Sequence, residues 1–158
     1  NAPGEMHKKI DFMVGKWDVA MKFIMAPGAP ANESKGIEES KWDLDNRFVT
    51  SAYRSEMAPG MMFTGKAIMG FNTATKKYES VWADSTANGL MFMTGTMDDA
   101  THTLNMTGEG DDMMTGKRKT FRTTYTMLNK DSFNFKMFDT DAAGKEFANI
   151  DATYTRAK

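Results

Sequence analysis

From Trp17 the apolar side chains fall at every second position, Trp17, Val19, Met21, Phe23 and Met25, while Lys16, Asp18 and Lys22 take the alternate places. A period of two gathers the first set on one face of an extended chain, which the 3.6-residue period of a helix cannot do. The stretch reads as a strand with one face buried, and the same device recurs to the end of the chain.

After a loop over 26–32, marked by Pro27, Gly28 and Pro30, strands are predicted over 34–44, 47–56, 62–71, 77–85, 90–97, 102–108, 118–128, 132–138 and 145–156. Ile37 opposes Trp42 and Leu44 in the second of these strands. Tyr78, Ser80, Trp82 and Asp84 share a face, as do Met91, Met93 and Met97, and as do Phe121, Thr123, Tyr125 and Met127. Turn chemistry separates the strands at Asp45-Asn46, Ala58-Pro59-Gly60, Asn88-Gly89 and Asp98 to Thr101, with a longer loop at 108–116. Ahead of them Met6, Ile10, Met13 and Val14 recur at helical spacing, so a helix of about two turns is predicted over Glu5 to Val14, ended by Gly15.

About ten short strands joined by hairpin-length turns predict an all-β chain. The expected form is a closed up-and-down antiparallel β-barrel with a short N-terminal helix, because closure leaves no strand edge unpaired. No linker or shift of composition divides residues 1–158, so one barrel domain is expected.

Charge excludes some partners. With 20 basic and 21 acidic residues the net charge is −1, which gives no field for nucleic acid or anionic lipid. Lys117-Arg118-Lys119 would point to alternate faces of a strand start rather than form a phosphate-binding stripe. The absence of cysteine excludes disulfides, thiolate metal sites and a cysteine nucleophile. No apolar run approaches the roughly 20 residues of a membrane-spanning helix. The polar start Asn1-Ala2-Pro3-Gly4 suits the segment behind a removed export signal, so a periplasmic or secreted location is expected.

Gly15-Lys16-Trp17, placed after a short helix and opening a strand, is similar to the Gly-x-Trp of lipocalin-like barrels. A wider set of stretches carries a more specific likeness: HKKIDFMVGKWDV, MAPGAPANESKG, SKWDLDNRFV, MGFNTATKKYESVWADS, MTGTMDDATHTLNMTGE and DDMMTGK. Together they resemble the bacterial family known as domain of unknown function 1579, over His7 to Tyr154. The resemblance implies a lipocalin-like, fatty-acid-binding-like barrel. Related barrels carry small apolar ligands or, in nitrobindin-like members, haem. Methionine stands in this chain where leucine or valine would be ordinary, 16 residues in all.

Inside such a barrel Trp42, Tyr53, Trp82, Phe121, Tyr125 and Phe135 are the candidate lining for a small apolar or amphipathic ligand. The alternative is a barrel filled by its own side chains. Asp84 and Arg122 are the candidate polar pair for a ligand head group; as surface charge they would do nothing of the kind. Trp17 is expected to close the barrel end against the helix rather than to bind. His7, on the short helix near the barrel mouth, where it could reach a ligand, and His102, beside a turn, are the only imidazoles. Haem and catalytic zinc want histidine in the cavity, so no cofactor is expected.

The methionines have three readings: adaptable filling, soft ligands for Cu(I), or a sink for oxidants. Met57, Met61, Met62 and the pair Met113-Met114 fall in predicted loops where copper could be held. The acidic loop Glu109, Asp111 and Asp112 lacks the calcium-loop spacing. No Gly-x-Ser-x-Gly, phosphate loop or His-Glu-x-x-His occurs, so no catalytic residue is named. The leading expectation is a binding barrel for a small hydrophobic molecule. The alternative is a methionine-rich copper-handling, protein-interaction or assembly module, a homo-oligomer included.

Overall fold

In the computed structural model, which describes residues 2–112 and 114–158, the alternating stretches become ten antiparallel strands. They are β1 (Gly15–Phe23), β2 (Asn32–Asp43), β3 (Phe48–Ala58), β4 (Met61–Asn72), β5 (Lys77–Asp84), β6 (Met91–Asp98), β7 (Thr103–Asp111), β8 (Arg118–Asn129), β9 (Ser132–Thr140) and β10 (Glu146–Arg156). Each strand pairs with the next in sequence, and β1 pairs with β10, so the ring closes as expected. Around the ring the register sets Trp17 between Glu38 of β2 and Arg156 of β10. In this meander the connections alternate between the two ends.

The N-terminal segment plugs one end. It is shorter than the two-turn helix predicted: α1 spans Glu5–Lys8, and a 3₁₀ turn follows at Asp11–Met13. So short a helix has little stability of its own, and tertiary contacts shape the segment instead. Ile10 and Met13 turn down into the barrel and pack on Val49, Met69, Tyr78, Leu104 and Met106. Hydrogen bonds tie the plug down: Tyr78 Oη donates to the Met6 carbonyl at 2.6 Å, Trp42 Nε1 to Asp11 Oδ1 at 2.7 Å and Trp17 Nε1 to the Met13 carbonyl at 2.9 Å. Lys9 adds an ion pair to Asp99 at 2.7 Å. Trp17, 1% exposed, stands edge-on to Phe133 and closes this end against the N-terminal segment, as its position in the sequence predicts.

Other boundaries also move. Gly15 begins β1 rather than ending a helix, and Met25 lies beyond that strand in the following loop. Leu44 is not in β2: with Asp45 and Asn46 it forms a left-handed run, φ 50°, 58° and 59°, that makes the turn. β7 continues to Asp111, so the acidic residues Glu109 and Asp111 belong to a strand, and Asp111 is paired with Arg118 at 3.0 Å.

Candidate functional site

The two ends of the barrel are packed differently. At the plugged end the inward side chains Trp17, Val49, Tyr78, Leu104, Phe133 and Tyr154 are buried. At the other end Met21, Phe63, Trp82, Met91, Met137 and Phe147 also face inward but are only half-buried. An inward side chain that keeps part of its surface in water meets that water through the mouth. The strand alternation holds each of them there, and glycine makes room: a Cβ on Gly65 would strike the Trp82 indole, and one on Gly36 the Tyr53 phenol.

The candidate residues separate along this axis. Tyr53 and Phe121 are buried and face inward, and Tyr125 and Phe135 pack ring to ring at 4.8 Å. Trp82 lies near the mouth, stacked on Phe63 at 6.5 Å. Its indole donates to Asp84 Oδ2 at 2.8 Å. Burial would raise the Asp84 carboxyl, but hydrogen bonds from Thr86, Trp82 and Ala87 outweigh it and hold the group below its ordinary value. Trp42 stands apart from these residues, at the plugged end, bonded to Asp11.

Arg122 is misassigned by the sequence reading. The phase that turns Phe121 and Thr123 inward turns Arg122 outward, where it lies over Phe138 at 3.8 Å and holds Glu146 at 2.6 Å. No Asp84–Arg122 pair forms. His7 is also removed from the mouth: it sits in α1, accepting the Gly4 N–H at Nδ1 and packed on Phe71. His102 is exposed at its turn.

Sequence reasoning missed the centre. Glu38 projects into the barrel and is 8% exposed. The Ser40 hydroxyl donates to its Oε1 at 2.9 Å, Tyr154 Oη donates to Oε2 at 3.3 Å, and Ser51 extends the chain to Ser40 at 2.7 Å. Burial pushes the Glu38 carboxyl above its ordinary value, against those hydrogen bonds. Burial, then the Glu38 charge, raise the Tyr125 and Tyr154 phenols. Tyr53, 4% exposed, is raised mainly by burial, with Ser55 opposing and the Glu38 charge adding. The Tyr53 hydroxyl nevertheless makes no hydrogen bond of good geometry, and neither does the buried Thr123 hydroxyl. The signal was available: the phase that puts Trp42 inside also puts Ser40 and Glu38 inside, and Ile37, outward, is 43% exposed.

Outside the barrel a groove of about 820 Å³ crosses β1 to β5, with Ile37, Ala52 and Ala83 among its lining and Lys16, Glu39, Arg54 and Lys66 around it. Among the described residues no three His, Asp or Glu side chains come together as a metal site, and no helix is long and apolar enough to cross a membrane. Met113 lies outside the described residues.

A family model described as Protein of unknown function (DUF1579) matches residues 2–156. No curated protein sequence matches the chain. Among solved structures, the S-type phycobiliprotein lyase of Guillardia theta is similar with a TM-score of 0.64 at 10% identity, over 99% of each chain. A redesigned β-barrel gives a TM-score of 0.50 at 11% identity, over 100% of each chain. At these identities the likeness is one of fold: a lipocalin-like barrel.

Proposed function

Because the chain belongs to the DUF1579 family of proteins of unknown function, we propose its role from the site itself: a binding barrel that takes a small apolar or amphipathic molecule through the unplugged end. One observation carries this reading. Inward aromatic and thioether side chains at that end, Phe63, Trp82, Met91 and Phe147 among them, remain partly open to water, and covering the exposed part of each would contribute a fraction of the about 1.5–3 kcal/mol that full burial gives. A molecule lying on them recovers that energy, as in apolar ligand sites generally. The likeness to a phycobiliprotein lyase supports such a barrel as a framework for handling a small molecule.

Native mass spectrometry of protein purified gently from its source tests the proposal. The expected result is extra mass that is lost on denaturation. Chain mass alone, together with no quenching of tryptophan fluorescence by an apolar dye, would overturn it.

A second reading rests on a different observation. The exposed methionines Met25, Met57, Met61, Met62 and Met114 all lie at the unplugged end, three of them on the β3–β4 hairpin. Thioethers are soft donors suited to Cu(I). Anaerobic Cu(I) titration should then saturate at low stoichiometry, and replacing Met57, Met61 and Met62 by leucine should remove the saturable phase. A featureless titration excludes this reading.

A further inference from the structure

The barrel interior holds a carboxyl with no cation beside it among the described residues. Of the inward ionisable groups, Lys119 and Asp139 pair with each other near the mouth, and Asp84 is held by Thr86 and the Trp82 indole. Glu38 has hydroxyls only, from Ser40 and Tyr154, and among the described residues no lysine or arginine pairs with it. A buried carboxylate without a cation is costly, and proteins ordinarily pair it or replace it. Beside it the Tyr53 hydroxyl, in a residue 96% buried, is left without a partner of good geometry, and so is the Thr123 hydroxyl. Unsatisfied buried hydroxyls are rare and call for an explanation. These residues are buried where Phe63 and Trp82 are only half-buried, and Tyr53 packs edge-on against Phe63 at 5.9 Å.

We propose that Glu38 and Tyr53 form the head-group subsite for a nitrogen base: an amphipathic amine, or a heterocycle presenting N–H donors, whose apolar body lies on Phe63 and Trp82. The carboxylate accepts from the ligand's N–H and balances its charge. The phenol oxygen of Tyr53, which has no hydrogen bond of good geometry within the protein, accepts a second N–H. An anionic head group would be repelled by Glu38, and an alcohol would leave the charge unbalanced. Cationic amphiphiles are thereby selected over fatty acids, the reverse of a barrel whose interior carries an unpaired arginine. The inference rests on the interior-binding reading above and adds the class of ligand.

Three probes with one tail separate the two: dodecylammonium, dodecanol and dodecanoate, each titrated calorimetrically into the full chain below its micelle concentration. The expected order is dodecylammonium tightest, by about tenfold over the other two, the ratio a single charge-assisted hydrogen bond supplies. In Glu38→Gln, which keeps shape and hydrogen bonding, the three affinities should fall within about twofold of one another. Tyr53→Phe removes a hydroxyl that makes no hydrogen bond of good geometry, so the protein should fold normally while dodecylammonium binding weakens several-fold. If the wild type binds all three alike or prefers dodecanoate, or if Glu38→Gln leaves the order unchanged, the nitrogen-base subsite is wrong and interior binding stands. If none binds, both fall.

Discussion

The plugged end and the open end are built from the same strands with the same alternation, yet they divide the labour of the molecule. At the plugged end the Ile10 and Met13 side chains complete a buried cluster, and the hydrogen bonds that Trp17, Trp42 and Tyr78 donate to the N-terminal segment reinforce it. At the open end the inward side chains have no such lid, and apolar surface stays in water. Stability is concentrated where the barrel is closed, and reachable chemistry where it is not. Regions of low packing are where binding surfaces are generally drawn from.

The largest expected effect tests this division directly. Trp17→Ala should cost about 3–5 kcal/mol in denaturant unfolding, the ordinary range for emptying a large buried aromatic site. Trp82→Ala should cost less than that while abolishing dye binding, because Trp82 is only half-buried and part of its surface is already in water. Equal losses at the two positions would break the comparison.

Glu38 sharpens it through pH. The folded carboxyl keeps its proton to higher pH than the unfolded chain, so the native state binds more protons across the window between the two values. Stability is therefore full below the ordinary value of 4.5 and falls as pH rises through the raised one, by about 1.4 kcal/mol per pH unit inside that window. Glu38→Gln should lack this slope and be the more stable protein at neutral pH. Unfolding curves that run parallel across the same pH range would contradict a buried, uncompensated carboxyl.

A smaller effect is expected of Tyr78→Phe, which removes the bond to the Met6 carbonyl at the plugged end. It should lower stability by about 1 kcal/mol, or roughly 2–4 °C in Tm. Smallest of all, Met57→Gln, Met61→Gln and Met62→Gln together should leave unfolding within about 0.5 kcal/mol per site of wild type, as exposed positions do. A substantial loss there would mean the open rim is packed after all.

The sequence could be read for the fold because alternation and turn residues repeat without conflict along the chain, and a barrel is the one arrangement that pairs every strand. Trp17 was readable for the same reason. The site was harder. Glu38 is a charged residue at an inward position, and a hydrophobic pattern passes over it although its phase with Trp42 identifies it. Arg122 shows the reverse error, an assignment made from residue type against the phase of Phe121 and Thr123 on either side. The gathering of exposed methionines at one end follows from counting connections, since Met25, Met57, Met61, Met62 and Met114 all lie beside odd-numbered ones. The helix length could not be read, because contacts with the barrel shape it more than its own propensity does.

The continuous hydrogen-bonded ring of strands has a consequence for how such a chain can change. The loops at the open rim hang from strands whose register is enforced by their neighbours and by the plug at the far end. Substitution and insertion at the rim can accumulate without the backbone coming apart, since surface connections tolerate change far better than the elements they join. The molecule is in that sense a ready-made library scaffold: its recognition surface is free to diversify, and its foldability is kept elsewhere.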